Sequence, residues 1–311
     1  MAVAQEPGKA KRVGLVFYST SAPRTHLERA FLDGMRDQGY VEGKNLVIER
    51  LYAEGDSGRL REGAAALAAL KLDAIVTTCS PSTRATKEAT AASGTPVLMA
   101  SVSDPVGQGL VKSLAHPGGN VSGRASQHEE TLPKMLELLT GMAPGAGPVA
   151  VLYHAGHLAH ERMWQTLAGL EQSRNLKLLR IDVAGRDDLS GAFDRIARER
   201  FRAVLVLSDD PMTFSSRDQV SAHAARVRVP AIYGMSEFVE QGGLMSYGEN
   251  YAGSYRATAA HVSKVLAGAR TADLPVEQPT RFELVINLKT ARDLGLKVPG
   301  DILLQATRVI E

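Results

Sequence analysis

The chain carries one pattern twice. Short apolar runs alternate with segments of helical period from Val13 onward, and after the breaker cluster Pro144-Gly145-Ala146-Gly147-Pro148 the same order starts again. The first copy predicts strands at residues 13–18, 46–52, 74–78 and 96–101. The second predicts strands at 149–153, 176–183, 203–207 and 230–234, with helices at 158–174 and 189–200. Matched anchors, Val13 with Val149, Pro81 with Pro211 and Pro96 with Pro230, are nearly equally far apart along the chain. Buried strands alternating with helices build parallel sheets. The expected fold class is therefore α/β: two Rossmann-like lobes with parallel sheets.

The first helix shows how the pattern works. Leu27, Ala30, Phe31, Gly34 and Met35 form one apolar stripe that a sheet can cover, and Gly39 ends it. Equivalent strands, 74–78 and 203–207, both run into polar residues and then a proline that opens a helix, where a missing N–H is harmless. Ligands of open parallel sheets bind beyond the carboxyl ends of the strands. Two facing lobes would thus enclose a cleft. Segments 121–127, 244–250 and 282–288 leave one copy without completing it and are expected to cross between lobes, giving a three-crossing hinge. The helix 252–266 then returns to the first lobe. The expected division is 12–124 plus 251–280, against 125–250 plus 281–311, with 1–11 a flexible N-terminal segment.

Composition removes several function classes. A formal charge of +2 without a basic run offers no footprint for nucleic acid. The longest apolar runs, such as 64–70, fall far short of the roughly 18 residues that span a bilayer. The single cysteine, Cys79, excludes an internal disulfide and the ligand sets of structural zinc. Ala2-Val3-Ala4, followed by a polar segment, reads either as the small-residue end of a secretion signal or as an ordinary N-terminus.

Catalytic motifs are missing from the sequence. Gly107-Gln108-Gly109 lacks the third glycine of a dinucleotide fingerprint, and Gly119-Asn120-Val121-Ser122-Gly123 places its serine one position from a nucleophile elbow. His154, His157 and His160 recur every third residue, which is not the order of a zinc helix; a loop and helix start lining a polar cleft suits them better. Cys79 reads as a small packed or cleft residue. Tyr18, Tyr153 and Tyr233 stand at expected strand ends, and Tyr247 and Tyr251 near a crossing, where they would grip a planar ligand or merely fill space. Polar candidates at the tips are Ser19, Thr20, Thr78, Ser80, Ser82, Thr83 and Asp104 in the first lobe, with Asp209 and Glu237 in the second. Hydroxyls beside the helix start at Pro81 suit a ligand carboxylate, Asp104 or Asp209 an ammonium, and Arg24 a carboxylate clamp. Ser103-Asp104-Pro105 also reads as a turn.

Asp104-Pro105-Val106-Gly107-Gln108-Gly109-Leu110-Val111-Lys112-Ser113-Leu114, with Pro117-Gly118-Gly119-Asn120-Val121-Ser122-Gly123, resembles a signature of bacterial ABC-transporter substrate-binding proteins of the tryptophan/tyrosine type. Gly39-Tyr40-Val41-Glu42-Gly43-Lys44-Asn45-Leu46, Val239-Glu240-Gln241-Gly242-Gly243, Leu274-Pro275-Val276 and Phe282-Glu283-Leu284-Val285-Ile286-Asn287-Leu288 extend the likeness along the chain. The resemblance implies a periplasmic-binding-protein fold of type I that closes on one small organic ligand, an amino acid or aromatic carboxylate, and delivers it to an ABC permease in the inner membrane. It implies a ligand set around Tyr18, Ser19, Thr78, Cys79, Ser80, Asp104, Asp209 and the stretch from Tyr233 through Met235 to Glu237. Tyr153-His154-Ala155-Gly156-His157 and Ser208-Asp209-Asp210-Pro211 depart from the commoner family pattern. The reading is a monomeric periplasmic binder without catalysis, cofactor, metal or nucleic acid. An enzyme using Asp209, His154 or Cys79, and a sensor module serving a receptor, are the competing readings.

Overall fold

The computed structural model describes residues 10–19, 26–145 and 147–311; Thr20, Arg24, Ala146 and the Ala2-Val3-Ala4 triplet lie outside them. In chain order the elements are β1 (Lys11–Phe17), α1 (His26–Asp37), β2 (Leu46–Tyr52), α2 (Ser57–Ala69), β3 (Ala74–Thr77), α3 (Ser80–Ala89), β4 (Val97–Ser103) and β5 (Val121–Ser126). Next come α4 (His128–Met142), β6 (Val149–His154), α5 (Leu158–Arg174), β7 (Leu178–Val183), α6 (Asp188–Arg198), β8 (Ala203–Val206), α7 (Pro211–Ser215) and α8 (Arg217–Arg226). The chain continues through β9 (Ala231–Tyr233), α9 (Ser236–Glu240), β10 (Met245–Gly248) and α10 (Tyr251–Leu266). It ends in β11 (Glu283–Asn287), α11 (Leu288–Asp293), α12 (Gly300–Gln305) and β12 (Arg308–Ile310).

These elements form two α/β lobes. One holds the described residues up to Ser126 with Tyr251–Gln278, the other Gln127–Asn250 with Pro279–Glu311. The first sheet runs β2-β1-β3-β4-β5, every neighbour parallel. The second runs β7-β6-β8-β9-β10 in the same relative order, then adds β11 antiparallel to β10 and β12 parallel to β11. The sequence repeat is thus a topological repeat. Segment 282–288, expected as a crossing, is instead recruited to the second sheet as β11, so the chain changes lobe earlier, between Gln278 and Pro279. Lys11, expected in the N-terminal segment, starts β1 and donates its N–H to Asn45 O at 3.0 Å.

In the first lobe, α1 buries Leu27, Phe31, Gly34 and Met35, as its stripe requires, but Glu28 is buried with them in place of Ala30. Glu28 accepts from Arg50 Nε at 2.7 Å and Tyr52 Oη at 2.6 Å, so the charge ties α1 to β2. Arg50 also grips Glu42, and that hydrogen bond foremost holds its proton more firmly than usual. The α1 helix lies on α10, where a Cβ at Gly34 would overlap the Arg256 carbonyl oxygen. The second lobe's core runs from Leu132 and Leu139 on α4 through Val149 and Val151 to Leu284 and Ile286 of β11.

Ser122, in the Gly-Asn-Val-Ser-Gly stretch, sits inside β5 and donates to Leu274 O, so its hydroxyl is structural. Gly123 follows with φ +121°, and a Cβ there would overlap the backbone N and O of Met99 on β4. Gly123→Ala is expected to destabilise the first lobe by about 2–4 kcal/mol, summing overpacking and left-handed strain. A urea titration followed by circular dichroism checks it.

Candidate functional site

Both sheets have the order 2-1-3-4-5 in their parallel part, so the winding reverses between β1 and β3 in one lobe and between β6 and β8 in the other. At such a switch point the adjacent connections leave on opposite faces and a crevice opens beyond the strand ends. Each lobe's crevice is therefore the place to look for chemistry.

In the first lobe the crevice is lined by small polar groups. Thr78 Oγ1 donates to Val16 O at 3.1 Å, joining the tips of β3 and β1. Ser82 Oγ, one turn into α3, accepts from the N–H groups of Thr78 and Cys79, both at 3.1 Å, and Cys79 caps the helix in extended conformation. Thr83 Oγ1 donates to Cys79 O and meets Thr77 Oγ1 at 2.7 Å. Ser82 and Thr83, expected at the surface of the tip, are fully buried and spend their hydroxyls on this turn. Tyr18 follows β1, half-buried, with its hydroxyl 3.2 Å from Ser57 Oγ; Ser19 O accepts from Glu54 N–H at 3.1 Å.

Beyond β4, Asp104 adopts φ +36° and its Oδ1 accepts from Gly107 N–H at 2.8 Å. This is the turn that Ser103-Asp104-Pro105 announces. Gln108, in the same motif, donates Nε2 to Ser80 Oγ at 2.9 Å and Ser103 O at 2.6 Å, clasping the start of α3 to the end of β4. The motif's glutamine is thus a fastener for two candidate binding segments. Tyr251 begins α10 with its side chain buried.

The second lobe solves the same problem with histidines. His160 on α5 accepts the His154 backbone N–H at Nδ1, 2.9 Å, while Nε2 lies 2.9 Å from Ser208 O. A carbonyl only accepts, so Nε2 carries the hydrogen and the ring is neutral. Burial holds its pKa far down, to about 3. His154 Nδ1 stands 2.9 Å from Asp210 Oδ1, and this hydrogen bond foremost raises its pKa above the ordinary 6.5. Asp210 caps α7, accepting from Met212 and Thr213 N–H at 3.0 and 3.2 Å, and its pKa drops to about 2: burial opposes the charge, but His154 and the other imidazoles outweigh it. His157 lies between the other two rings, with centroids 5.9 Å from His154 and 4.9 Å from His160. Among the described residues no group of histidine, cysteine or carboxylate side chains is arranged to hold a metal ion.

Tyr153 is buried, donates to Glu161 Oε2 at 2.7 Å and carries the Arg180 guanidinium 3.7 Å above its ring; burial raises its pKa to about 12. It is a framework residue behind the tip. Asp209, next to the clasp, is buried and held at φ +62°. Tyr233 stands at the strand end as expected, but its ring is fully buried in the core, stacked on Phe238 at 4.8 Å and packed with Ser221. Strand β9 ends there, and its polar exit begins one residue later at Gly234, where a Cβ would strike Ser208 Oγ. Met235 and Glu237 follow, both buried. Tyr247 packs against Phe282, with ring centroids 5.9 Å apart. Sequence reasoning placed His160 with His154 and His157 at a polar cleft but did not single out Asp210; the signal was the acidic residue directly before Pro211, a helix-cap position.

Removing the clasp of the first lobe deletes two buried hydrogen bonds. Gln108→Ala leaves Ser103 O and Ser80 Oγ without this donor and is expected to lose about 1–3 kcal/mol of stability. Chemical denaturation of the variant beside the wild type reads it.

The comparisons with known proteins agree with this geometry. The family model described as ABC transporter substrate binding protein matches residues 16–310. A tyrosine-binding protein of Clostridioides difficile (strain R20291) is 27% identical over 290 residues, 93% of this chain and 82% of that protein. The crystal structure of an ABC domain in complex with L-Trp, from Streptococcus pneumonia, is 26% identical with a TM-score of 0.83, covering 96% of this chain and 100% of that one. A conserved domain protein from Vibrio cholerae, also 26% identical, reaches 0.87 over 97% of this chain and 100% of its own. No helix among the described residues is long and apolar enough to cross a membrane.

Proposed function

The chain belongs to the ABC transporter substrate-binding protein family, and from that premise we propose that it captures an amino acid, tyrosine or tryptophan first among candidates, and delivers it to an ABC permease without chemical change. The relatives named above, one tyrosine-binding and one holding L-Trp, support the ligand class. The family's extracytoplasmic role supports residence in the periplasm. The strand tips of each lobe are the candidate contacts for that capture, Tyr18, Ser19 and Thr78–Ser80 in the first lobe and the His154–Asp210 region in the second.

One observation carries the reading to particular residues. Among the described residues seven non-glycines have positive φ; Glu54, Lys71, Asn175, Arg200 and Arg228 lie in turns or at helix ends. Asp104 and Asp209 lie within three residues of the ends of β4 and β8, as Glu54 does past β2, and of these three acids they are the two among the ligand candidates. Left-handed backbone in a residue with a Cβ costs about 1–3 kcal/mol and gathers at ligand clamps. Both are carboxylates, suited to the ammonium of an amino acid, and the hydroxyls and amides around Thr78 and Ser80 suit its carboxylate.

A thermal-shift screen tests the ligand class. L-tyrosine or L-tryptophan is expected to raise Tm, since a ligand at a hundredfold its Kd stabilises the native state by about 2.7 kcal/mol. Aliphatic amino acids, purines and sugars should shift it less; silence from every amino acid overturns the ligand class. Asp104→Asn and Asp209→Asn then test the residues, because asparagine tolerates left-handed backbone and removes only the charge. A charged hydrogen bond is worth about 1.5–3 kcal/mol, so affinity should fall at least tenfold. Wild-type affinity in both variants discards this site assignment.

A further inference from the structure

The three histidines and Asp210 form more than a polar lining. His160 joins the backbone of both tips at the switch point of the second lobe: it accepts from His154 N–H at the end of β6 and donates to Ser208 O beyond β8. Only the neutral ring with hydrogen on Nε2 can make both bonds. A second proton, on Nδ1, would point at the His154 N–H and break the bridge. His154 is in the opposite situation. Its Nδ1 faces a buried carboxylate, and protonation turns a hydrogen bond from a neutral imidazole into an ion pair.

We propose that the Tyr153–His160 turn and Asp210 form a one-proton clasp, in which a single proton on the His154–Asp210 pair locks the tip of β6 to the start of α7, while a further proton on His160 Nδ1 breaks its bridge between β6 and β8. The tip is then tight across a window of pH. It slackens in base through His154 and in acid through His157 and His160. This does not depend on which solute the protein carries.

The charged and titratable groups around the clasp agree. His154 faces Asp210 at the head of α7, His157 in the turn, His160 on α5 and the backbone of Ala184 past β7. His157 faces Asp210 and the other two rings. Glu161 and Arg180, the nearest ions on α5 and β7, are engaged with Tyr153, and Arg180 also with Asp182. Asp210 is the one carboxylate hydrogen-bonded to the imidazoles, so it supports one positive charge and leaves a second opposed by the first. Burial lowers His157 and His160 while the Asp210 bond raises His154, which separates the uptake of the first proton from the next. The sign follows. A histidine raised above 6.5 contributes stability that is fully present below 6.5 and lost as pH rises through its folded value. Histidines held below 6.5 have the reverse effect, and their burial is lost as pH falls beneath 6.5.

Long-range 1H–15N spectra of the imidazoles, recorded on the full chain without added solute from pH 4.5 to 9, test the clasp. His154 is expected to titrate above 6.5, with His160 remaining the neutral Nε2–H tautomer down to pH 5. In Asp210→Asn the His154 midpoint should fall by about one pH unit or more, the usual effect of losing an opposite charge in contact. The proposal is overturned if His154 titrates at or below 6.5 in the wild type, if Asp210→Asn leaves it in place, or if His160 shows the Nδ1–H form or protonates above pH 5. Should Asp210→Asn fail to fold, the wild-type midpoints and tautomers decide alone. A failed ligand screen leaves this result untouched, because no ligand enters the measurement.

Discussion

Between the ends of β1 and β3, and again between β6 and β8, adjacent parallel strands send their connections to opposite faces, so no single helix covers both tips. The last backbone groups of those strands have left the ladder and still need partners. Val16 O, Thr78 N, Ser208 O and His154 N are four such groups. Side chains must supply what the sheet no longer does. What each lobe chooses for that task fixes what its crevice can offer to a ligand.

The first lobe chooses hydroxyls. Thr78 and Ser82 are short, uncharged and able both to give and to accept, so the tip is satisfied over a wide range of pH and stays narrow. The second lobe chooses an imidazole, which reaches from α5 across to both tips and fills the crevice with its own ring. That choice brings a proton-dependent geometry, because a ring that must accept at one nitrogen cannot be charged. Asp210 and His154 stand beside it as an ion pair whose net charge is zero with the proton and minus one without it. The same fold, repeated, therefore ends in one tip joined by hydroxyls and one joined by an imidazole.

Much of this was legible in the residues. The repeat set the two α/β lobes, and the stripe on α1 set its buried face, because period and apolar content act locally. The joining of two strands at a tip is less local: Gln108 looks like part of a glycine turn until Ser80 and Ser103 are seen on either side of it. Tyr233 shows the converse. At the end of a strand it reads as a tip residue, yet alternation on β9 turns its ring toward Phe238 and Ser221, and the tip falls to Gly234. The recruitment of β11 was hidden for another reason. Its apolar run is as good for a crossing as for a sheet strand, and only pairing with β10 and β12 separates the two. Asp210 was legible as a helix cap from Asp-Pro, but its partner His154 lies 56 residues earlier, a separation no local pattern spans.

The clasp and the strained aspartate beside it bear on one another. Asp209 is held in left-handed backbone between Ser208, whose carbonyl is bound by His160, and Asp210, whose carboxylate is bound by His154 and two helix amides. A residue at φ +62° relaxes unless its neighbours are fixed on both sides. Here both neighbours are fixed by histidines of one turn. On the first lobe Gly107 and Gln108 N–H bind Asp104 through the short turn after β4. The two strained carboxylates therefore stand beside restraints of different chemistry, a peptide turn in one lobe and a histidine turn in the other.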